Sequence, residues 1–272
     1  MKSSYRISRL WLLPLGTGLI AAFALVFSSC QKVIQIDLNS ASPKIVIEGV
    51  VTDSLGPYRV MITKSGSYFN QPFIPPVEGA FVTISDDQGI VDTLSEEQPG
   101  IYLTTKTQGI PGHSYFLKVI AENNEYLAST TMKTRVEIDS LFVQETQGPA
   151  GRKRRNVVCR FRDPAGEKNY YRVKFFDNGK TSKDNYRLYD DQYTDGELVD
   201  IRAGGATAGA LDGVILMSID KKAYDYFHTL EDIIRTNPFF GSTPANPNTN
   251  LSNGALGYFA AYTVTAGRIR VP

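Results

Sequence analysis

Histidine, serine and cysteine are the residues from which acid–base or nucleophilic chemistry would be built, and this chain of 272 residues has few of them in useful patterns. Its two histidines stand apart: His113 lies in a turn that enters a predicted strand, and His228 lies in a predicted helix. The sequence has no Gly-x-Ser-x-Gly, His-Glu-x-x-His or Cys-x-x-Cys motif and no phosphate-binding loop. We therefore predict no catalytic residue and no cofactor, while a Ser-His-Asp site built from distant residues stays open.

Five acidic side chains form the best candidate for an ion site: Asp190, Asp191, Asp195, Glu197 and Asp200. Ca²⁺ prefers six to eight oxygen ligands on a flexible loop, and the spacing of Asp191, Asp195 and Gly196 is similar to the start of such a loop. However, Tyr193 occupies a ligand position, and Arg202 stands where a bidentate Glu would be required. We predict a solvated hairpin tip and no metal, with calcium as the alternative.

Aromatic residues are plentiful, and most of them must fill the core. A Pro/Asn/Gly/Ser-rich loop over residues 239–253 is too long to be a mere connection, so the aromatic residues beside it are our candidates for contact with a protein or glycan. These candidate binding residues are Phe239, Phe240, Tyr258 and Tyr262.

The first 29 residues predict an export signal. Three basic residues among the first nine precede an apolar run of about nine residues, 19–27, which two serines separate from Cys30. A membrane-spanning helix, which needs about 20 apolar residues, is the alternative, but a proline and two glycines interrupt the only candidate. The elements that position any site must therefore come after Cys30.

Ser28-Ser29-Cys30 after an apolar run resembles the bacterial lipoprotein box. The resemblance implies that Cys30 is joined to diacylglycerol, becomes the first residue after cleavage, and anchors the chain to a membrane. Residues 30–43 then form a tether, which lacks the acidic export tag of some surface lipoproteins, so the periplasmic and surface faces both stay open. An ordinary secreted protein is the alternative.

Removing the signal leaves about 240 residues, with 26 basic and 28 acidic side chains. A chain so close to neutral has no field that would attract nucleic acid, so we predict no nucleic-acid partner. The length suits two medium domains, which we place at 44–133 and 134–272. With Cys30 acylated, Cys159 has no disulfide partner, and its strand pattern points it inward.

Apolar residues alternate in short segments separated by turn residues, for example at Ile45 and Ile47, at Val60 and Ile62, and from Tyr115 to Ala121. We predict a mainly β protein: an antiparallel immunoglobulin-like sandwich over 44–133, then a second antiparallel β domain, a sheet or partial barrel. One helix is predicted near 220–236, capped by Asp220.

Two further resemblances concern the folded part. Residues 77–84, 86–89 and 100–102 resemble the pattern of carboxypeptidase-regulatory-like and immunoglobulin-like modules, which implies a shape and no activity. Six motifs are spread over the mature chain: Ile47-Glu-Gly49, Val77-Glu-Gly-Ala80, Ile138-Asp-Ser-Leu141, Phe161-Arg-Asp-Pro164, Asn169-Tyr-Tyr171 and Asn253-Gly-Ala-Leu-Gly-Tyr-Phe259. Together with the lipoprotein box, they resemble the domain-of-unknown-function family 4249 over the whole mature chain.

That family resemblance implies an outer-membrane lipoprotein, often encoded beside TonB-dependent receptors, and supplies no catalytic residues. We therefore expect a lipid-anchored outer-membrane protein without catalytic activity, an accessory or ligand-capture partner of a TonB-dependent transporter. A stand-alone glycan- or peptide-binding or adhesion lipoprotein is the second hypothesis. A hydrolase whose site is not visible in the sequence is the third.

Overall fold

The computed structural model describes residues 43–66, 74–147, 153–177, 180–204, 206–235 and 246–272. Cys30, Phe239 and Phe240 lie outside these ranges. Within them, no helix has both the length and the apolar character that crossing a membrane requires.

The described residues form fifteen strands and one helix. In chain order they are β1 (Ile45–Thr52), β2 (Arg59–Lys64), β3 (Phe81–Asp86), β4 (Val91–Thr93), β5 (Ser95–Gln98), β6 (Ile101–Leu103), β7 (Ser114–Ala121), β8 (Asn124–Thr131), β9 (Ile138–Gln147), β10 (Lys153–Arg162), β11 (Tyr170–Asp177), β12 (Lys180–Asp190), β13 (Leu198–Gly204), β14 (Leu211–Ile219), α1 (Lys221–Arg235) and β15 (Leu256–Arg270). The mainly β class predicted from the sequence is confirmed.

The strands form three sheets. An eight-stranded sheet, which we call the long sheet, has the order β12-β11-β14-β15-β1-β2-β6-β5. A four-stranded sheet, β4-β3-β7-β8, packs on one end of it, and a three-stranded sheet, β13-β10-β9, packs on the other end. Each smaller sheet encloses its own apolar core against the same face of the long sheet, and α1 packs against the opposite face.

The period-two patterns are confirmed as buried faces. Ile47, Val60, Ile62 and the alternate residues of β7 are buried between the long and four-stranded sheets. Turn residues follow the prediction as well, since Gly89 has a φ of 86°. These strands form where predicted because alternating side chains give each strand one apolar face to bury.

The second half contains strands that the patterns missed. β12 carries many polar residues and shows no clean alternation. β13 does alternate, with Val199, Ile201 and Ala203 buried, but it overlaps the acidic residues for which a hairpin tip is predicted. The predicted hairpin tip near Asp190 is wrong, because β12 pairs with β11 whereas β13 pairs with β10 in another sheet. Residues 191–197 therefore form a turn that crosses between two sheets.

β15 joins the two halves of the chain. Its first half pairs in parallel with β1, from Val46 with Leu256 to Thr52 with Tyr262, and its second half pairs antiparallel with β14. The β1–β15 pair is thus a parallel exception within the predicted antiparallel sheets. That residues 44–133 and 134–272 are separate domains stays a prediction. The long sheet contains strands from both of these segments.

Asp220 caps α1 as predicted. Its Oδ1 accepts a hydrogen bond of 2.8 Å from the Ala223 amide, and its Oδ2 accepts one of 2.8 Å from the Thr130 hydroxyl on β8. The buried face of the helix carries Ala223, Tyr226 and Phe227. Ile234, in the last turn of the helix, is 67% exposed. The cap therefore fixes where the helix starts and which sheet face it covers.

We predict that Gly257→Ala lowers the free energy of unfolding by more than about 4 kcal/mol. Gly257 has a φ of 94°, and a Cβ there would lie 2.1 Å from the Ile47 carbonyl oxygen of the paired strand. Gly254→Ala is the matched control, since that glycine also has positive φ, 70°, but open space around it. It should cost only about 1–2 kcal/mol. Urea unfolding measures both, and equal losses would contradict the close approach of β1 and β15.

Candidate functional site

Each histidine lies beside an acidic side chain, and the described cysteine is buried. Nδ1 of His113 lies 3.2 Å from Oδ1 of Asp87, and Nδ1 of His228 lies 3.3 Å from Oδ2 of Asp232 one helical turn away. Within the described ranges, neither imidazole has a hydrogen bond to a serine hydroxyl. Burial, and then the nearby Asp200 carboxylate, raise the pKa of Cys159 to about 12, so this thiol is no nucleophile near neutral pH.

Two residues of the predicted acidic group, Asp191 and Asp195, lie close together. They are joined by Asp163, which the spacing along the sequence did not indicate. Asp163, at the end of β10, lies with Asp191 and Asp195 so that one oxygen of each is within 4.8 Å of the others. Asp163 and Asp191 are buried, whereas Asp195 is exposed. Asp200 lies elsewhere, in a bidentate ion pair with Arg160 at 2.7 and 2.8 Å.

Donors from the chain already occupy these carboxylates. The Tyr171 hydroxyl donates to Asp163 at 2.5 Å, the Asn169 amide donates to Asp191 at 2.8 Å, and the Gly166 amide donates to Asp195 at 2.8 Å. Asp163 and Tyr171 belong to two of the family-like motifs, Phe161-Arg-Asp-Pro164 and Asn169-Tyr-Tyr171. Those motifs therefore build a buried polar network that holds β10, β11 and the turn after β12 together.

A group of six side chains lies on the opposite face of the long sheet, beneath and beside α1. We call this group the arginine cluster. Its members are Arg172 on β11, Tyr186 on β12, Tyr226 and Phe227 on α1, and Tyr258 and Tyr262 on β15. Tyr258 and Tyr262 are two of the predicted binding residues, and here they are partly buried core neighbours of the helix. Their role in binding stays a prediction.

Arg172 is packed among aromatic rings. Its Cζ lies 3.8 Å from the ring centroid of Phe227 and 4.8 Å from that of Tyr186. Tyr258 packs against two aromatic residues of the helix, with ring centroids 4.7 Å from Tyr226 and 5.0 Å from Phe227. Each cation–π contact contributes about 0.5–2 kcal/mol. The rings therefore hold the guanidinium in place without supplying a negative charge.

The charge of Arg172 has no acidic counterpart among the described residues. Its Nε is buried and has no hydrogen-bond partner. Burial lowers the pKa of Arg172, as expected where the charged form is taken out of water. Tyr226 stays neutral near pH 7, because burial and then the nearby Glu48 raise its pKa to about 12. Arg172 is thus the cation of a partly buried aromatic cluster, and the Glu48 carboxylate lies near Tyr226 and Tyr258.

A second cation and a groove lie beside Arg172. Lys174 points to the same face of β11, between Tyr186 and Ile215 of the neighbouring strands. Next along the sheet, an open groove of about 680 Å³ is lined mainly by apolar residues, with Arg268 among them. Its lining residues are Phe176, Leu211, Gly213, Val214, Ile215, Ala266, Gly267 and Arg268. This arrangement suits binding, because it offers cations, rings and hydroxyls.

Known proteins were compared with the chain. The sequence profile of a family described as Domain of unknown function (DUF4249) matches residues 31–268, and that description names no enzyme class. No curated protein matches.

Two chicken proteins are among the similar solved structures. A segment of two fibronectin type-III domains from tenascin has 9% identity and a TM-score of 0.25, covering 85% of this chain and 100% of that one. An interferon gamma receptor alpha chain has 10% identity and a TM-score of 0.19, covering 65% and 90%. Scores this low support no conclusion about function.

We predict that millimolar Ca²⁺ leaves the melting temperature unchanged. The three clustered carboxylates already accept hydrogen bonds from the chain, and each brings one oxygen to the cluster, whereas Ca²⁺ prefers six to eight oxygen ligands. Thermal unfolding with Ca²⁺ and with a chelator measures this. A rise in melting temperature that Asp195→Asn abolishes would show that the cluster binds the ion after all.

Proposed function

We propose that this chain, which belongs to the DUF4249 family of domains of unknown function, is a lipid-anchored outer-membrane protein that binds ligands or partners without catalysis. The observation that carries the proposal is the arginine cluster. It combines an unpaired cation, aromatic rings and an adjacent groove, and the described residues pair no nucleophile with a base there. The lipoprotein-box sequence that ends at Cys30 supports the anchor.

We predict that Cys30→Ser moves the protein out of the membrane fraction of a Gram-negative host. Stable anchoring takes more than one acyl chain, with about 0.8 kcal/mol contributed by each buried CH₂, and serine provides no sulfur to which diacylglycerol can be joined. Fractionation followed by immunoblotting measures the change. Cys159→Ala is the matched control, because Cys159 is buried in the core and should not affect anchoring. A Cys30→Ser protein that still fractionates with the outer membrane would rule out the anchor.

The proposed partner is a TonB-dependent transporter, for which this protein serves as an accessory. An exposed apolar patch on the outer face of the four-stranded sheet supports a protein partner. Phe81 pairs with Ile120 across the sheet, and Phe116 and Leu127 lie nearby on the same face. Phe81 is 50% exposed, and Phe116 and Leu127 are each 45% exposed. Apolar side chains grouped in this way mark surfaces that other proteins cover.

We predict that the double variant Phe81→Ser, Leu127→Ser no longer co-purifies with the transporter in mild detergent. Loss of buried apolar contacts at the centre of an interface costs about 2 kcal/mol or more, enough for tenfold or greater weakening. Leu55→Ser is the matched control, since Leu55 is 90% exposed on a loop outside this patch. Recovery of the double variant with the transporter at the wild-type level would remove the patch as the contact surface.

A stand-alone capture lipoprotein is the second candidate function. The groove beside the arginine cluster favours it, because a cavity of about 680 Å³ falls in the range that holds small ligands without help from a second protein. Ligand binding by the purified protein together with failure to recover any transporter would favour this candidate.

A further inference from the structure

Two partly buried cations occupy one face of β11, and no described acidic side chain forms an ion pair with either of them. Arg172 and Lys174 are two residues apart on the strand, so both side chains point away from the core of the three-stranded sheet. Among the described residues, neither has an ion-pair or hydrogen-bond partner, and Nε of Arg172 is buried without an acceptor. Buried charges in proteins are normally paired, so this pair requires an explanation.

Packing alone does not explain the two cations. Burial lowers the pKa of Lys174, and the charge of Arg172 lowers it further, so each cation disfavours the other. The rings of Phe227 and Tyr186 stabilise the guanidinium but leave its charge uncompensated. An apolar residue at either position would avoid that penalty. The arrangement therefore fits a site whose negative charge arrives with a ligand.

The groove adds an apolar surface beside these cations. Lys174 pairs with Ile215, and Ile215 pairs with Ala266, so the cation stands next to the apolar floor of the groove. Phe176, two residues after Lys174 on β11, also lines the groove and pairs with Gly213. Gly213 in turn pairs with Arg268, which lines the groove as well. None of the described residues that line the groove is acidic.

We propose that Arg172 and Lys174 bind the carboxylate of a soluble organic anion whose apolar body lies in the groove over Phe176 and Ile215. The planar guanidinium suits a carboxylate, because its fork of N–H donors can engage both oxygens. The volume of about 680 Å³ matches a small molecule. This inference names the ligand class for the proposed binding function, and it therefore rests on that proposed function.

The test is calorimetric titration of the mature lipoprotein in zwitterionic nanodiscs. Naphthoate is the probe, and naphthamide has the same apolar body without the charge. We expect naphthoate to bind and naphthamide to bind at least about tenfold more weakly, since hydrogen bonds to charged groups are the stronger ones. Equal affinity for both probes, or no binding of naphthoate, would overturn the proposal.

Arg172→Met and Lys174→Met should each weaken naphthoate binding about tenfold or more. Lys174→Met should not lower the melting temperature of the free protein, because it removes an unpaired charge, whereas Arg172→Met also loses the cation–π contacts with Phe227 and Tyr186. Arg202→Met is the matched control, since Arg202 lies on the three-stranded sheet and is exposed. Wild-type affinity in the first two variants, or equal loss in the control, would contradict the assignment.

Dihexanoyl phosphatidylglycerol, a soluble lipid, distinguishes a headgroup from a free carboxylate. Binding of this lipid in an Arg172-dependent manner, without binding of naphthoate, would show that the site recognises a lipid phosphate and that our commitment to a soluble anion is wrong. The transporter test is independent of these titrations. Failure of naphthoate to bind alongside successful co-purification removes only this inference.

Discussion

Seven residue pairs join β1 to β15 in parallel, so the first strand of the described fold is hydrogen bonded to the last. β15 then continues past β1 and pairs with β14. The strand contributes Phe259 and Ala261 to one core, and Ile269 packs against the other. Both sandwiches therefore depend on the same strand, and its close approach to β1 depends on Gly257.

Where β15 has a neighbouring strand on one side only, its other backbone N–H and C=O groups need hydrogen-bond partners from elsewhere in the chain. Along its first half, the Asn250 side chain accepts from the Phe259 amide at 3.0 Å and donates to the Phe259 carbonyl at 2.7 Å, as a neighbouring strand would. The Thr130 hydroxyl accepts from the Ala261 amide at 3.0 Å and donates to Asp220, the cap of α1. The helix, the four-stranded sheet and β15 are thus fixed to one another through one buried chain of hydrogen bonds.

This architecture also explains where the candidate site lies. One face of the long sheet is filled by the two smaller sheets, whereas α1 packs over β11, β12, β14 and β15 on the other face. Arg172 on β11 lies against Phe227 of the helix. Lys174 follows on the same face of β11 and pairs with Ile215, which lines the groove. The two cations therefore lie between the helix and the groove, which makes the arginine cluster a candidate for binding.

The sequence predicted what depends on local pattern. Strands with clean alternation, such as β1 and β7, and the cap at Asp220 follow from side-chain type and spacing. β12 was missed because its polar residues hide the alternation. β13 does alternate, but it overlaps the acidic group that was predicted to form a hairpin tip. The arginine cluster could not be found, since Arg172 meets Tyr258 only through the order β11-β14-β15, which spacing along the chain does not encode. Asp163 joined Asp191 for the same non-local reason.

The order of the strands also has a consequence for synthesis. Residues of β1 leave the ribosome about 200 residues before their partners in β15, a delay of about 10–40 s at typical rates of chain growth. During that interval one edge of β1 has no partner, and the apolar core beneath it lacks Phe259 and Ala261. The amino-terminal sandwich therefore cannot close until β15 is available to pair with β1.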